Sequence, residues 1–172
     1  MGDRPLILLD VDGVLNPFVR PGKAWQAHKC ACGGTTYNML LNPEHGPQLL
    51  ALAEQAGAEL VWATAWEHDA NRAIAPIIGL PQLPVIEVLK GDVEPYGVCF
   101  KSPAVAEYVN GRPFVWFDDD LTQADDLWLN DHPNVGRYGL IRTERRHGLT
   151  DEHLELAAAW LAEHPGGGAS GE

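Results

Sequence analysis

Two aspartates one residue apart, Asp10 and Asp12, follow the apolar run Leu6–Leu9, and Gly13 comes next. A run of that length suits one buried strand, and a buried strand delivers its last residues to the edge where a parallel α/β sheet binds ligands. On a continuing strand, residues 10 and 12 would share one face. Gly13 lets the backbone turn, so the two carboxylates can converge on one centre in different roles. A strand running into a polar turn uses the same residue types. A second acidic run is harder to explain that way. Asp118, Asp119 and Asp120 follow the apolar stretch 114–117. Three adjacent carboxylates at a buried strand's end repel one another unless a cation or a base sits among them.

Periodicity gives the elements that must position these acids. Leu49, Leu50, Leu52, Ala53 and Ala56 fall at helical spacing over 46–56, before Gly57 as a C-cap. Residues 59–63 read as a second strand, 67–78 as a helix and 84–89 as a third strand. Ser102 and Pro103 suit the N-cap and first position of a helix that Asn110-Gly111 closes. Residues 114–117 form a fourth strand, 122–131 a helix and 137–142 a fifth strand. Thr150 can cap a last helix, with Asp151 and Glu152 at its positive end.

Residues 17–45 lack sustained periodicity and read as an irregular insertion after the first strand, with a small hairpin flap as its expected form. The alternation implies one α/β domain over residues 1–164. It should be a Rossmann-like, three-layer fold with a parallel five-stranded sheet and helices on both faces. The Pro-Gly-Gly-Gly tail from 165 is expected to be disordered. In such a fold the loops at the carboxyl ends of the strands gather along one edge. Thr64, Lys101, Arg145 and Arg146 should therefore join the acids there.

With 172 residues, 45% of them hydrophobic, the chain is long enough for one full core and short for two ordinary domains. No apolar run approaches a membrane span and no secretory signal is evident, so a cytoplasmic location without membrane association is expected. Three cysteines, Cys30, Cys32 and Cys99, do not suggest a disulfide scaffold. The formal net charge of −12 disfavours nucleic acid as a partner without excluding it.

Four motifs in order resemble those of the haloacid dehalogenase (HAD) superfamily. They are Asp10-Val-Asp12-Gly-Val, Thr64 closing Leu60-Val-Trp-Ala-Thr, Lys101, and Asp118-Asp119 after Phe-Val-Trp-Phe. The resemblance implies a Mg²⁺-dependent phosphatase. Asp10 would be the nucleophile that forms an aspartyl-phosphate. Asp12 would act as general acid and base, help typically worth roughly 10²–10⁴-fold in rate. Thr64 would bond a phosphoryl oxygen, and Lys101 would hold Asp10 and the phosphoryl group by charge.

Mg²⁺ would be held by Asp10, the backbone carbonyl of Asp12, and Asp118, with either Asp119 or Asp120 as a further acid. An acid at position 12 resembles the phosphatases and phosphotransferases of the superfamily rather than its dehalogenases. Transfer to an acceptor other than water would use the same residues. A phospho-acceptor switch also gathers aspartates and a lysine at such an edge, but it needs no leaving-group acid.

The segment between Asp12 and the helix near Gly46 is too short for a full helical cap, so an open site is expected. It would take a small phosphorylated substrate, or a phosphate on a larger molecule such as a nucleic-acid end. Trp25 and Trp66 could stack on an aromatic group, although packing suits both. Arg20, Lys23, Arg145 and Arg146 could recognise a second anionic group. His28, Cys30 and Cys32, with His45, do not match a standard zinc spacing, and packed thiols fit them better.

Overall fold

Along the chain the elements are β1 (Leu6–Leu9), β2 (Gln26–Cys32), β3 (Thr35–Leu41), α1 (His45–Ala56) and β4 (Glu59–Trp62). A π-helical turn at Ala70–Ile74 then runs into α2 (Ala75–Ile78). These are followed by α3 (Ser102–Val109), β5 (Phe114–Asp118), α4 (Gln123–Asp131), β6 (Tyr138–Arg142) and α5 (Asp151–Glu163). This computed structural model describes residues 4–167, and positions 168–172 of the expected tail lie outside that range.

The main sheet is parallel, in the order β4-β1-β5-β6. Strand alternation sorts its apolar residues onto two faces. Ile7, Leu9, Trp62 and Phe117 pack with Leu49, Ile74, Ile78 and Leu161 of α1, the π turn, α2 and α5. Leu6, Leu8, Val61 and Trp116 pack with Val105, Val109 and Leu129 of α3 and α4. Both faces are covered, which is why these strands read as continuous apolar runs rather than alternating ones. The chain moves from β1 to one neighbour, β4, and crosses back to the other, β5. The carboxyl ends around β1 therefore form a crevice at a topological switch point.

The sheet has four strands, not the expected five. Residues 84–89 make a single bridge, Trp62 to Val85, and then coil into a 3₁₀ turn at Val88–Lys90. Asn71 accounts for part of this. Its Nδ2 donates to the Leu83 carbonyl (2.8 Å), and its Oδ1 accepts from the Leu83 N–H (2.9 Å) and the Trp62 indole (2.8 Å). Backbone groups that a ladder would use are thus taken by a side chain before the bridge and by the turn after it.

The helix expected over 67–78 is also altered. Pro76 has no N–H to give the Arg72 carbonyl, and the Ala75 N–H bonds to Ala70, five residues back, in the wider π geometry.

β2 and β3 pair antiparallel as a hairpin whose two-residue turn, Gly33-Gly34, has φ of +56° and +81°. Two successive left-handed residues match the twist of a tight hairpin, and glycine adopts them without strain. The hairpin leans on the 69–74 segment, where the Gly33 N–H donates to Asp69 Oδ2 (3.0 Å). Cys30, Met39 and Leu41 of the hairpin sink into the core.

His45 opens α1 fully buried, edge-on to Trp25 at 5.6 Å. Burial pushes its pKa down to about 4, against the pull of Asp151. The unfolded chain thus takes up a proton near pH 6.5 that the folded state refuses until about pH 4. His45 therefore contributes up to about 3 kcal/mol of stability at neutral pH that is lost across that window as pH drops. Urea melts at pH 7.5 and 4.5 should show it as the difference between wild type and His45→Gln, which lacks this contribution.

Candidate active site

The segment after β1 fixes the first two acids. The N–H groups of Leu15 and Asn16 both donate to the Val11 carbonyl (2.9 Å each), making one tight turn. Gly13 sits in it at φ +78°. A Cβ there would collide with the Asp119 carboxylate, so both the backbone and the space require glycine. Thr143, buried at the end of β6, donates its hydroxyl to the Gly13 carbonyl (2.7 Å). Gly13→Ala should therefore cost at least about 1 kcal/mol in backbone strain alone, and should displace Asp119. Thermal denaturation with and without divalent cations would register both effects.

Asp10, Lys101 and Asp118 meet in the buried floor of the crevice. The Lys101 ammonium lies 2.8 Å from Asp10 Oδ2 and 2.7 Å from Asp118 Oδ2. The remaining carboxylate oxygens accept backbone N–H groups, Val11 to Asp10 Oδ1 (2.8 Å) and Asp120 to Asp118 Oδ1 (2.9 Å). Burial, and then the neighbouring Asp118, push the Asp10 pKa up to about 7 despite Lys101. Burial raises Asp118 too, and burial with Asp118 raises Asp119. On Lys101, burial opposes the charge but the two acids outweigh it and hold the ammonium protonated. The cluster is short of positive charge.

Carboxylate oxygens of Asp10, Asp118 and Asp119 all lie within 4.8 Å of one another. This all-oxygen, carboxylate-rich donor set with a charge deficit fits a hard divalent cation. Asp119, rather than Asp120, is the further acid of the cluster. The half-exposed guanidinium of Arg145 holds both, at 3.2 Å from Asp119 Oδ2 and 3.4 Å from Asp120 Oδ1. Among the described residues this is the one such group of three. His28, Cys30 and Cys32 form none, and the Cys30 thiol points to the Ala73 carbonyl.

Asp12 keeps its carboxylate outside the cluster. Its Oδ1 accepts from Asn16 Nδ2 and its Oδ2 from the Trp66 indole, each at 2.9 Å. Thr64 is buried beside the crevice, its hydroxyl oxygen accepting the Trp66 N–H (3.2 Å). An open cleft of about 270 Å³ is lined by Asp10, Asp12, Thr64, Lys101, Asp119 and Arg145, together with Ala65, Phe100 and Asp120. No hairpin residue lines it. Arg146 is exposed and does not line it either, and Trp66 is buried with its N–H committed to Asp12.

Several positioning groups escape a reading of the sequence. Asp125, fully buried, accepts the Cys99 N–H (2.7 Å) and the Ser102 hydroxyl (2.8 Å), clasping the turn that carries Lys101. Ser102 therefore serves Asp125, and Lys101 takes the N-cap position of α3 that was expected for Ser102. The spacing Thr122-x-x-Asp125, a capping box for α4, is the one local signal that pointed there.

A parallel sheet whose strand ends bring two aspartate pairs and a threonine to one crevice, with a lysine from the start of α3, defines a HAD-type phosphoryl-transfer domain. The chain belongs to the family described as the HAD domain in Swiss Army Knife RNA repair proteins, whose model matches residues 6–154. No curated protein and no solved structure matches the chain. Among the described residues, no helix is long and apolar enough to cross a membrane.

Proposed function

We propose that the chain is a Mg²⁺-dependent phosphomonoester hydrolase working through an aspartyl-phosphate. The observation that carries this reading is the buried Lys101 ammonium shared by Asp10 and Asp118, with Asp119 completing an acidic cluster. Lys101 fixes the carboxylate of Asp10 and offers its charge to an incoming phosphoryl oxygen. An oxygen of Asp10 forms a bond to phosphorus while the bond to the leaving oxygen breaks, and that oxygen takes a proton from Asp12. Asp12 then removes a proton from the water that attacks the aspartyl-phosphate, which releases inorganic phosphate and restores Asp10. Thr64, at the cleft wall, donates its hydroxyl to a phosphoryl oxygen. Asp10, Asp118 and Asp119 would hold Mg²⁺, which when bound neutralises phosphoryl charge in the transition state.

The family description brings a terminal phosphate of RNA to the head of the substrate classes, despite the net charge of −12. An open cleft suits the end of a polymer. The test is phosphate release with Mg²⁺ from oligoribonucleotides phosphorylated at either end, compared with mononucleotides and sugar phosphates. Preference for an oligoribonucleotide end supports the substrate class, and preference for a sugar phosphate rejects it. Release that survives Asp10→Asn rejects the mechanism.

A further inference from the structure

We infer that Trp66 and Asn16 are positioning residues for the general acid and base Asp12, and that the hairpin holds them in place; this rests on the hydrolase reading above. Asp12 is exposed to solvent, and an exposed carboxylate ordinarily samples several rotamers. Here both of its oxygens are engaged, Oδ2 by the Trp66 indole N–H and Oδ1 by the Asn16 amide, each at 2.9 Å. Each donor occupies one lone-pair site on its oxygen and leaves another for a proton. The plane of the carboxyl group is thereby fixed without blocking its use.

Both donors are themselves held. Trp66 is buried, with the ring of Tyr37 packed edge-on at 5.7 Å. Asn16 accepts the Leu40 N–H on its Oδ1 (2.8 Å) and lies against the Met39 sulfur (3.4 Å). Tyr37, Met39 and Leu40 all belong to β3, so one strand of the hairpin braces both groups that grip Asp12.

Proton donation matters most when the leaving group is a poor one. Trp66→Phe keeps the buried ring and removes the donor. It should lower kcat/KM about 10-fold or more on an alkyl ester such as benzyl phosphate. On para-nitrophenyl phosphate, whose leaving group departs without a proton, the loss should be less than about 3-fold. Asn16→Ala, at a half-buried position, is a second variant with the same expected pattern and serves if the tryptophan variant does not fold.

A role confined to folding or substrate binding would lower both substrates alike. Equal losses on the two esters, or no loss on either, with the wild type active through Asp10, would overturn the positioning role alone. Absence of phosphate release by the wild type, or release that survives Asp10→Asn, would instead overturn the hydrolase reading on which it stands.

Discussion

Asp10→Asn is expected to abolish phosphate release, with a loss of roughly 10³-fold or more in kcat, while leaving the fold intact. The amide preserves shape and can still accept the Val11 N–H, but its oxygen is a poor nucleophile. Stability separates this outcome from simple unfolding. In metal-free protein the Asp10 carboxyl, raised to about 7 by burial and by Asp118, holds its proton more tightly folded than unfolded. The Asp10 contribution to stability therefore declines as pH rises from the unfolded carboxylate range to about 7, where burying the anion costs most. The asparagine variant escapes that decline. Melting curves in EDTA at pH 8 should place it at or above the wild type, together with an inactive phosphate-release assay. A melting point well below the wild type would show that Asp10 carries structure rather than chemistry.

Lys101→Met should have the opposite signature. Removing the ammonium leaves Asp10 and Asp118 buried and unpaired, with Asp119 close by. Breaking a buried pair from one side typically costs about 3–5 kcal/mol, which for a chain of this size corresponds to roughly 10 °C in melting temperature. Activity should be lost as well. Mg²⁺ should restore part of the stability, because a cation among the three acids supplies the missing charge, yet it should not restore turnover. Thermal melts in EDTA and in millimolar Mg²⁺ would check this. An unchanged melting point in EDTA would mean that the acids are protonated in the metal-free protein.

The contrast between these two variants rests on residues that the sequence already pointed to. Asp10, Thr64, Lys101 and Asp118 were legible because each ends an apolar run or precedes a helix, and the topology of a parallel sheet brings such positions together. The strands at 6–9, 59–62, 114–118 and 138–142 were legible for the same reason, being short apolar stretches bounded by polar residues.

The stretch at 84–89 looked alike and is not a strand. Part of what decides against it is Asn71, a residue in another element whose amide takes both backbone groups of Leu83, just ahead of the stretch. The same limit applies at the site. Trp66 lies 54 positions from Asp12, and Thr143 lies 130 from Gly13. No local pattern links such partners. Arg145 and Arg146 are neighbours of one type, yet only Arg145 lines the cleft, where it reaches Asp119 and Asp120.

The hairpin leans back on the 69–74 segment and leaves the cleft unroofed. An enzyme that passes a phosphoryl group to a chosen acceptor ordinarily shuts the reactive acyl phosphate away from solvent. On the hydrolase reading, the acyl phosphate on Asp10 would face an open cleft, where any acceptor competes with water. If the proposed intermediate forms, such a cleft should favour water as its acceptor. With no hairpin residue lining the cleft, product should depart as freely as substrate arrives.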